Sequence, residues 1–210
     1  MESEKCLIIS GGEAGKINID ESDFDLIIAC DHGLDNARAL GIRPDVVIGD
    51  FDSLSKEGPD SEMEVIRFPK KKDDTDTMLA ARLAIERGFK DISICCALGG
   101  RADHLIANLQ TLKWIAQNKA KAFLIEEKEE MVAFSDSKIS VPKKDCFSLS
   151  VFSLSDKSKG VSIKGAEYEA DNLTLTNSFP IGVSNSFESN EVAIEVKEGT
   201  LLVVCSKLND

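Results

Sequence analysis

The sequence predicts an α/β domain built on a parallel sheet, followed by an all-β domain of sandwich type. In the first half, short and nearly continuous runs rich in β-branched residues alternate with stretches of helical period, the pattern of strands covered on both faces. After about Lys119 this texture gives way to short alternating runs with no long helical period. The change sets the boundaries at 1–119 for the α/β part and 120–210 for the all-β part.

The predicted strands of the first part are Leu7 to Ile9, Asp25 to Cys30, Asp45 to Ile48 and Ile92 to Leu98. Between them, a helix from Leu34 to Leu40 stops at Gly41. A second, Thr75 to Arg87, places Leu79, Leu83 and Ile85 at helical spacing before Gly88. A third, Asp103 to Asn118, sets Leu105, Leu109, Leu112 and Ile115 on one stripe. The second part reads as strands at Phe123 to Glu126, Met131 to Phe134, Lys138 to Val141, Phe147 to Phe152, Leu173 to Thr176, Val192 to Val196 and Leu201 to Cys205. Turn residues such as Pro142, Lys159-Gly160, Lys164-Gly165, Pro180 and Glu198-Gly199 punctuate them.

Composition narrows the function. A chain of 210 residues buries about 70% of its unfolded surface, so it needs no disulfide or metal staple. With 25 basic and 37 acidic residues the net charge is −12, which argues against nucleic acid or an anionic membrane surface as partner. The run Cys6-Leu7-Ile8-Ile9 is too short for a signal segment or a membrane span, and a cytoplasmic location is expected. The six cysteines form no C-x-x-C pair, and no zinc or disulfide framework is expected.

Ligands of open α/β sheets bind beyond the carboxyl ends of the strands. The segments just past the predicted strands are acidic. Strand two leads into Asp31-His32-Gly33, strand three into Gly49-Asp50-Phe51-Asp52-Ser53, and strand four into Gly99-Gly100-Arg101-Ala102-Asp103-His104. Asp50 and Asp52, two apart in extended chain, aim their carboxylates to one side. At roughly 4 Å and an effective dielectric of about 20 their repulsion nears 4 kcal/mol, which a cation would relieve. Magnesium, which takes one or two carboxylates plus substrate phosphates, suits that need. A solvated acidic turn is the plainer alternative.

Asp73-Asp74-Thr75-Asp76 opens the second helix directly behind Lys70-Lys71-Lys72. Capping explains one acid and one hydroxyl. The surplus suggests a pocket edge where lysines meet phosphate and aspartates meet metal, with a solvated charge run as the competing account. Gly99-Gly100 permits close backbone approach, the helix start offers free N–H groups to an anion, and Arg101 adds a planar fork for phosphate oxygens. His104 and Asn108 share a helix face and could meet the same ligand. Ser10-Gly11-Gly12-Glu13-Ala14-Gly15-Lys16-Ile17 lacks the first glycine of either nucleotide fingerprint, and is read as a structural turn or a secondary phosphate contact.

In order and spacing these motifs resemble the thiamine pyrophosphokinase family. Gly182-Val183-Ser184-Asn185, with Gly199-Thr200-Leu201-Leu202-Val203 beyond it, adds to the likeness, resembling that family's Ser-Asn loop and closing strand. The resemblance spans nearly the whole chain. It implies a Rossmann-like α/β catalytic domain and a β-sandwich that binds thiamine and dimerises. It also implies transfer of the β,γ-pyrophosphoryl group of ATP to the hydroxyethyl oxygen of thiamine, with magnesium, releasing AMP. Asp50, Asp52 and Asp76 are expected on the metal, with Asp31 and Asp73 supporting metal or substrate and one carboxylate taking the hydroxyl proton. Thr75, Gly99, Gly100, Arg101, Asp103, His104 and Asn108 are expected at the nucleotide, Ser184 and Asn185 at thiamine. A homodimer is implied, with a site shared between the α/β domain of one subunit and the β domain of the other.

Two departures stand out: His32 where the family commonly has glycine, and Ser186 where it often has glutamate. Trp114 and Tyr168 are the only Trp and Tyr, so Phe187 is a candidate for stacking on the vitamin. Two other functions compete. Asp50-Phe51-Asp52-Ser53-Leu54 imitates the nucleophile motif of haloacid-dehalogenase-type phosphatases, and a non-enzymatic acidic binding protein would leave the aspartates idle.

Overall fold

The structure, a computed structural model, describes residues 4–50, 59–69 and 73–208. The chain divides into two compact units, Met1–Glu127 and Lys128–Asp210.

The first unit holds the strands β1 (Lys5–Ile9), β2 (Leu26–Cys30), β3 (Val46–Gly49), β4 (Glu64–Arg67), β5 (Asp91–Cys95) and β6 (Lys121–Ile125). They lie in the order β4-β3-β2-β1-β5-β6, every neighbouring pair parallel. Their apolar runs are buried on both faces, β2 along its whole length, as the continuous pattern requires. The helices α1 (Gly33–Leu40), α2 (Asp76–Glu86) and α3 (Ala102–Gln117) connect β2 to β3, β4 to β5 and β5 to β6. Gly41, at φ 71°, closes α1, and the Thr75 hydroxyl accepts from Met78 N at 3.2 Å to open α2.

On the side away from β1, β5 pairs in parallel with β6, with Cys95 opposite Ile125. The first unit therefore extends past Lys119, and the run Phe123 to Glu126, which the sequence places at the start of the all-β part, supplies the last of its parallel strands. Its brevity and alternation conceal its parallel pairing with β5. β4 escaped the sequence reading because its side chains are largely exposed.

The second unit consists of β7 (Glu129–Ser135), β8 (Lys138–Pro142), β9 (Phe147–Ser153), β10 (Lys157–Lys164), β11 (Ala170–Thr176), β12 (Glu191–Glu195) and β13 (Thr200–Lys207). β13 pairs antiparallel with β7 and β9. A four-stranded antiparallel sheet runs β11-β10-β12-β8. Residues of both groups, including Phe134, Leu149, Val151 and Val203 on one side and Val161, Leu175, Val192 and Ile194 on the other, form one apolar core. β10 went unread because Gly160 at φ 64° and a register shift interrupt its alternation.

Candidate active site

The order of the parallel strands reverses beside β1: the chain builds outward through β2, β3 and β4, then returns to place β5 on the other flank. Loops on the two flanks diverge there and leave a crevice. A cavity of about 480 Å³ occupies this point, reached by Ser10–Glu13 after β1, Cys30–His32 after β2, the start of α2, and Gly99–Arg101 after β5.

The turn after β1 is thus part of the cavity wall. Asn36 Nδ2 donates to the carbonyls of Ser10 and Gly12, both at 2.9 Å. The Ser10 hydroxyl meets that of Thr77 at 2.9 Å. Neither Asn36 nor Thr77 carries a sequence motif that would mark it.

Asp31, the residue after β2, takes the left-handed region at φ 44°, and its N–H donates to Ile48 O at 2.7 Å. This turns it across the end of β3: a Cβ on Gly49 would meet Asp31 Cβ at 3.1 Å and Oδ1 at 3.2 Å. Asp50, half-buried, is the next residue of that strand end. Asp76 begins α2 and lines the cavity with Asp31, and the Cys30 thiol donates to its carbonyl at 3.6 Å. Asp73 and Thr75 are exposed just before the helix. Asp74 has a different task, pairing with Arg82 Nε at 2.9 Å, while Arg82 lies 5.1 Å over the Trp114 ring. Asp52 and Lys70-Lys71-Lys72 lie outside the described residues.

Among the described residues, no three His, Cys, Asp or Glu side chains gather tightly enough to form a metal cluster by themselves. The donors at hand are nonetheless hard carboxylate oxygens at one strand edge. Magnesium asks for no more than one or two of these when phosphates complete its shell, so the residues fit the ion.

On the other flank Gly99 and Gly100 take φ 80° and 69°, conformations that only glycine adopts without strain. They deliver Arg101 to the start of α3. Its fork grips Asp103 at 2.6 and 3.1 Å, and Asp103 Oδ1 also accepts from His104 N at 3.0 Å. The guanidinium holds the Asp103 carboxyl below its usual range, and the hydrogen bond to Asp103 raises Arg101 in turn. His104 and Asn108 line the cavity with Arg101. Asn108 is 6% exposed and spends an amide N–H on Ala97 O at 2.7 Å.

In the second unit Ser184 stands at φ 58°, with its N–H on the Ser150 hydroxyl at 3.0 Å. Asn185 is buried. Its side-chain oxygen accepts from the N–H groups of Tyr168 and Ser186, each at 2.9 Å, and its Nδ2 donates to Tyr168 O at 2.8 Å. Phe187 is 7% exposed and belongs to the apolar core of the second unit, so the stacking role suggested for it does not hold. Tyr168, by contrast, is 68% exposed.

Residues 21–124 match the family model of the thiamin pyrophosphokinase catalytic domain, and residues 136–201 that of the thiamin pyrophosphokinase vitamin B1 binding domain. The chain belongs to the thiamin pyrophosphokinase family. It is 25% identical over 186 residues to thiamine pyrophosphokinase of Bacillus subtilis, covering 86% of this chain and 87% of that one. It is 24% identical over 164 residues to thiamin pyrophosphokinase 1 of Caenorhabditis elegans, covering 72% and 66%. Among solved structures, the Bacillus subtilis thiamine pyrophosphokinase superposes with a TM-score of 0.84 at 24% identity, covering 97% of this chain and 99% of that one. A thiamin pyrophosphokinase family protein from Enterococcus faecalis gives 0.82 at 26%, covering 99% and 100%.

Membership of the thiamin pyrophosphokinase family makes this an enzyme of the thiamine diphosphokinase class, as the motif order implies. The phosphatase and non-enzymatic alternatives gain no support from these matches. The catalytic-domain match spans both flanks of the cavity, and the vitamin-domain match spans Ser184 and Asn185. No helix among the described residues is long and apolar enough to cross a membrane.

Proposed function

We propose that the chain transfers a pyrophosphoryl group from ATP to thiamine in the cavity beside β1. The new bond joins the thiamine hydroxyethyl oxygen to the β-phosphorus of ATP. The bond from that phosphorus to the α–β bridging oxygen breaks, AMP departs with the bridging oxygen, and a carboxylate takes the hydroxyl proton. Such a reaction asks the protein chiefly for neutralised charge and alignment.

One observation supports this most strongly: Asp31 and Asp76 face Gly99, Gly100 and Arg101 across a single cavity at the strand reversal. In this reading Asp50, Asp52 and Asp76 hold magnesium, while Asp31 and Asp73 steady metal or substrate. When bound, the ion offsets polyphosphate charge. Thr75, Gly99, Gly100, Arg101, Asp103, His104 and Asn108 bind the nucleotide, Asn108 in part by fixing Ala97. We read the first unit as Rossmann-like and the second as a β-sandwich that places Ser184 and Asn185 at thiamine. The pairing of a nucleotide cavity on one unit with a vitamin-binding match on the other fits a homodimer whose sites draw on both.

The test is direct. Protein supplied with magnesium, ATP and thiamine should release AMP and form thiamine diphosphate in equal amounts. AMP release that does not depend on thiamine would replace the acceptor.

A further inference from the structure

The loop that carries Gly99, Gly100 and Arg101 starts from an unusual anchor. β5 ends at Cys95, and Cys96 at φ 53° leaves the strand in a left-handed turn. The N–H groups of Ala97 and Leu98 then have no strand partner, and such donors need an acceptor when withdrawn from water. Glu126 supplies it. It is the residue after Ile125, which stands opposite Cys95 at the end of β6. Its Oε1 accepts from Ala97 N at 2.6 Å and from Leu98 N at 3.1 Å.

Successive backbone N–H groups converging on one point form a nest suited to an anion. Here a carboxylate of the protein fills it. From the opposite side, Asn108 Nδ2 grips Ala97 O at 2.7 Å, and Gly12 N donates to Cys96 O at 2.8 Å. The segment entering the cavity is therefore tied to β6, to α3 and to the turn after β1. Charge-assisted bonds of this kind are the stronger class, and a loop fixed beforehand loses less freedom when its ligand arrives.

We propose that Glu126 is a positioning residue for the nucleotide: its carboxylate locks Ala97 and Leu98 so that Gly99, Gly100 and Arg101 meet the ATP phosphates in a preset arrangement. The proposal rests on reading Gly99–Arg101 as the nucleotide loop. Glu126 touches neither substrate nor metal in this scheme, and acts on the loop through the two N–H groups it holds. A glutamine, whose carbonyl oxygen can accept both, should replace it.

The experiment compares Glu126→Ala, Glu126→Asp and Glu126→Gln in the full chain by steady-state kinetics and by amide hydrogen exchange at Ala97 and Leu98. In Glu126→Ala both amides should lose protection and the ATP KM should rise at least about tenfold, or about 1.4 kcal/mol, with the thiamine KM little changed. Glu126→Asp, too short to reach both donors, should fall between and serves if the alanine variant does not fold. Glu126→Gln should restore protection and the ATP KM together. The proposal is overturned if protection is lost without a change in ATP KM, if both KM values rise alike, or if glutamine fails like alanine in turnover. Arg101→Ala separates the two levels. An unchanged ATP KM there removes the nucleotide-loop reading itself, whereas a raised one beside an unchanged Glu126→Ala removes only the role of Glu126.

Discussion

One side chain holds both main-chain polar groups of a distant residue: the Asn185 amide accepts from Tyr168 N at 2.9 Å and donates to Tyr168 O at 2.8 Å. The amide acts as a substitute peptide, continuing the bridge between Ala166 and Phe187 by one more rung. Leu149 pairs with the Asn185 main chain from the other side. Asn185→Ala would leave the Tyr168 groups and Ser186 N without this partner, at a cost of about 1–3 kcal/mol. If Ser184 and Asn185 hold thiamine as proposed, the thiamine KM should rise as well. Urea unfolding and kinetics read the two effects. Unchanged stability would mean that water replaces the amide without penalty.

A contrast between the glycines at the two ends of α1 separates close contact from backbone strain. A Cβ on Gly33 would fall 2.0 Å from Ile9 O, inside any possible contact, whereas a Cβ on Gly41 meets nothing within 4 Å. Gly33→Ala must therefore shift the helix start or β1, and should cost about 3 kcal/mol or more. Gly41→Ala suffers only its φ of 71°, about 1–2 kcal/mol. Equal losses in denaturant unfolding would show that β1 yields easily, and the wall of the cavity with it.

How much of the site is legible in the sequence depends on which rule is applied where. Inspecting the residues just past each parallel strand finds Asp31, Gly99, Gly100, Arg101 and His104, all of which line the cavity, because strand ends and turn glycines are local signals. The same rule would find Glu126, one residue past β6, once that strand is assigned to the parallel sheet. Grouping that run with the all-β part hid it. Asn36 and Thr77 are beyond reach for a different reason: each acts through a contact that spans many residues of chain, 24 for Asn36 to Gly12 and 67 for Thr77 to Ser10. Asn185 is singled out by motif, while the partners of its amide become visible only in three dimensions.

Arg101 and Asp103 provide a test of fork geometry. Both side chains are mostly exposed, so their pairing should add little to stability, and its value lies in orienting the guanidinium at the head of α3. Arg101→Ala should raise the ATP KM about tenfold or more, and Arg101→Lys should recover only part, because an ammonium cannot grip two oxygens in a plane. Asp103→Ala, which leaves the guanidinium present but unoriented, should have the smaller effect. Should Asp103→Ala match Arg101→Ala, the carboxylate itself would be the nucleotide contact.

Asp91 gives the pH dependence of stability a definite sign. It opens β5 between Lys5 and Lys121 in the sheet register, and burial raises its carboxyl above the usual value, with Lys121 and Lys5 only partly opposing that. The folded state then binds the proton more tightly than the unfolded chain. Stability from this group is present below the unfolded value and is lost as pH rises through the folded one, so at neutral pH the ionised carboxylate is a net burden. Asp91→Asn should raise the melting temperature at neutral pH. The gain should shrink on acidification and vanish near about pH 3, where the native carboxyl is already neutral. A loss at neutral pH would mean instead that attraction to Lys5 and Lys121 outweighs the cost of burying the charge.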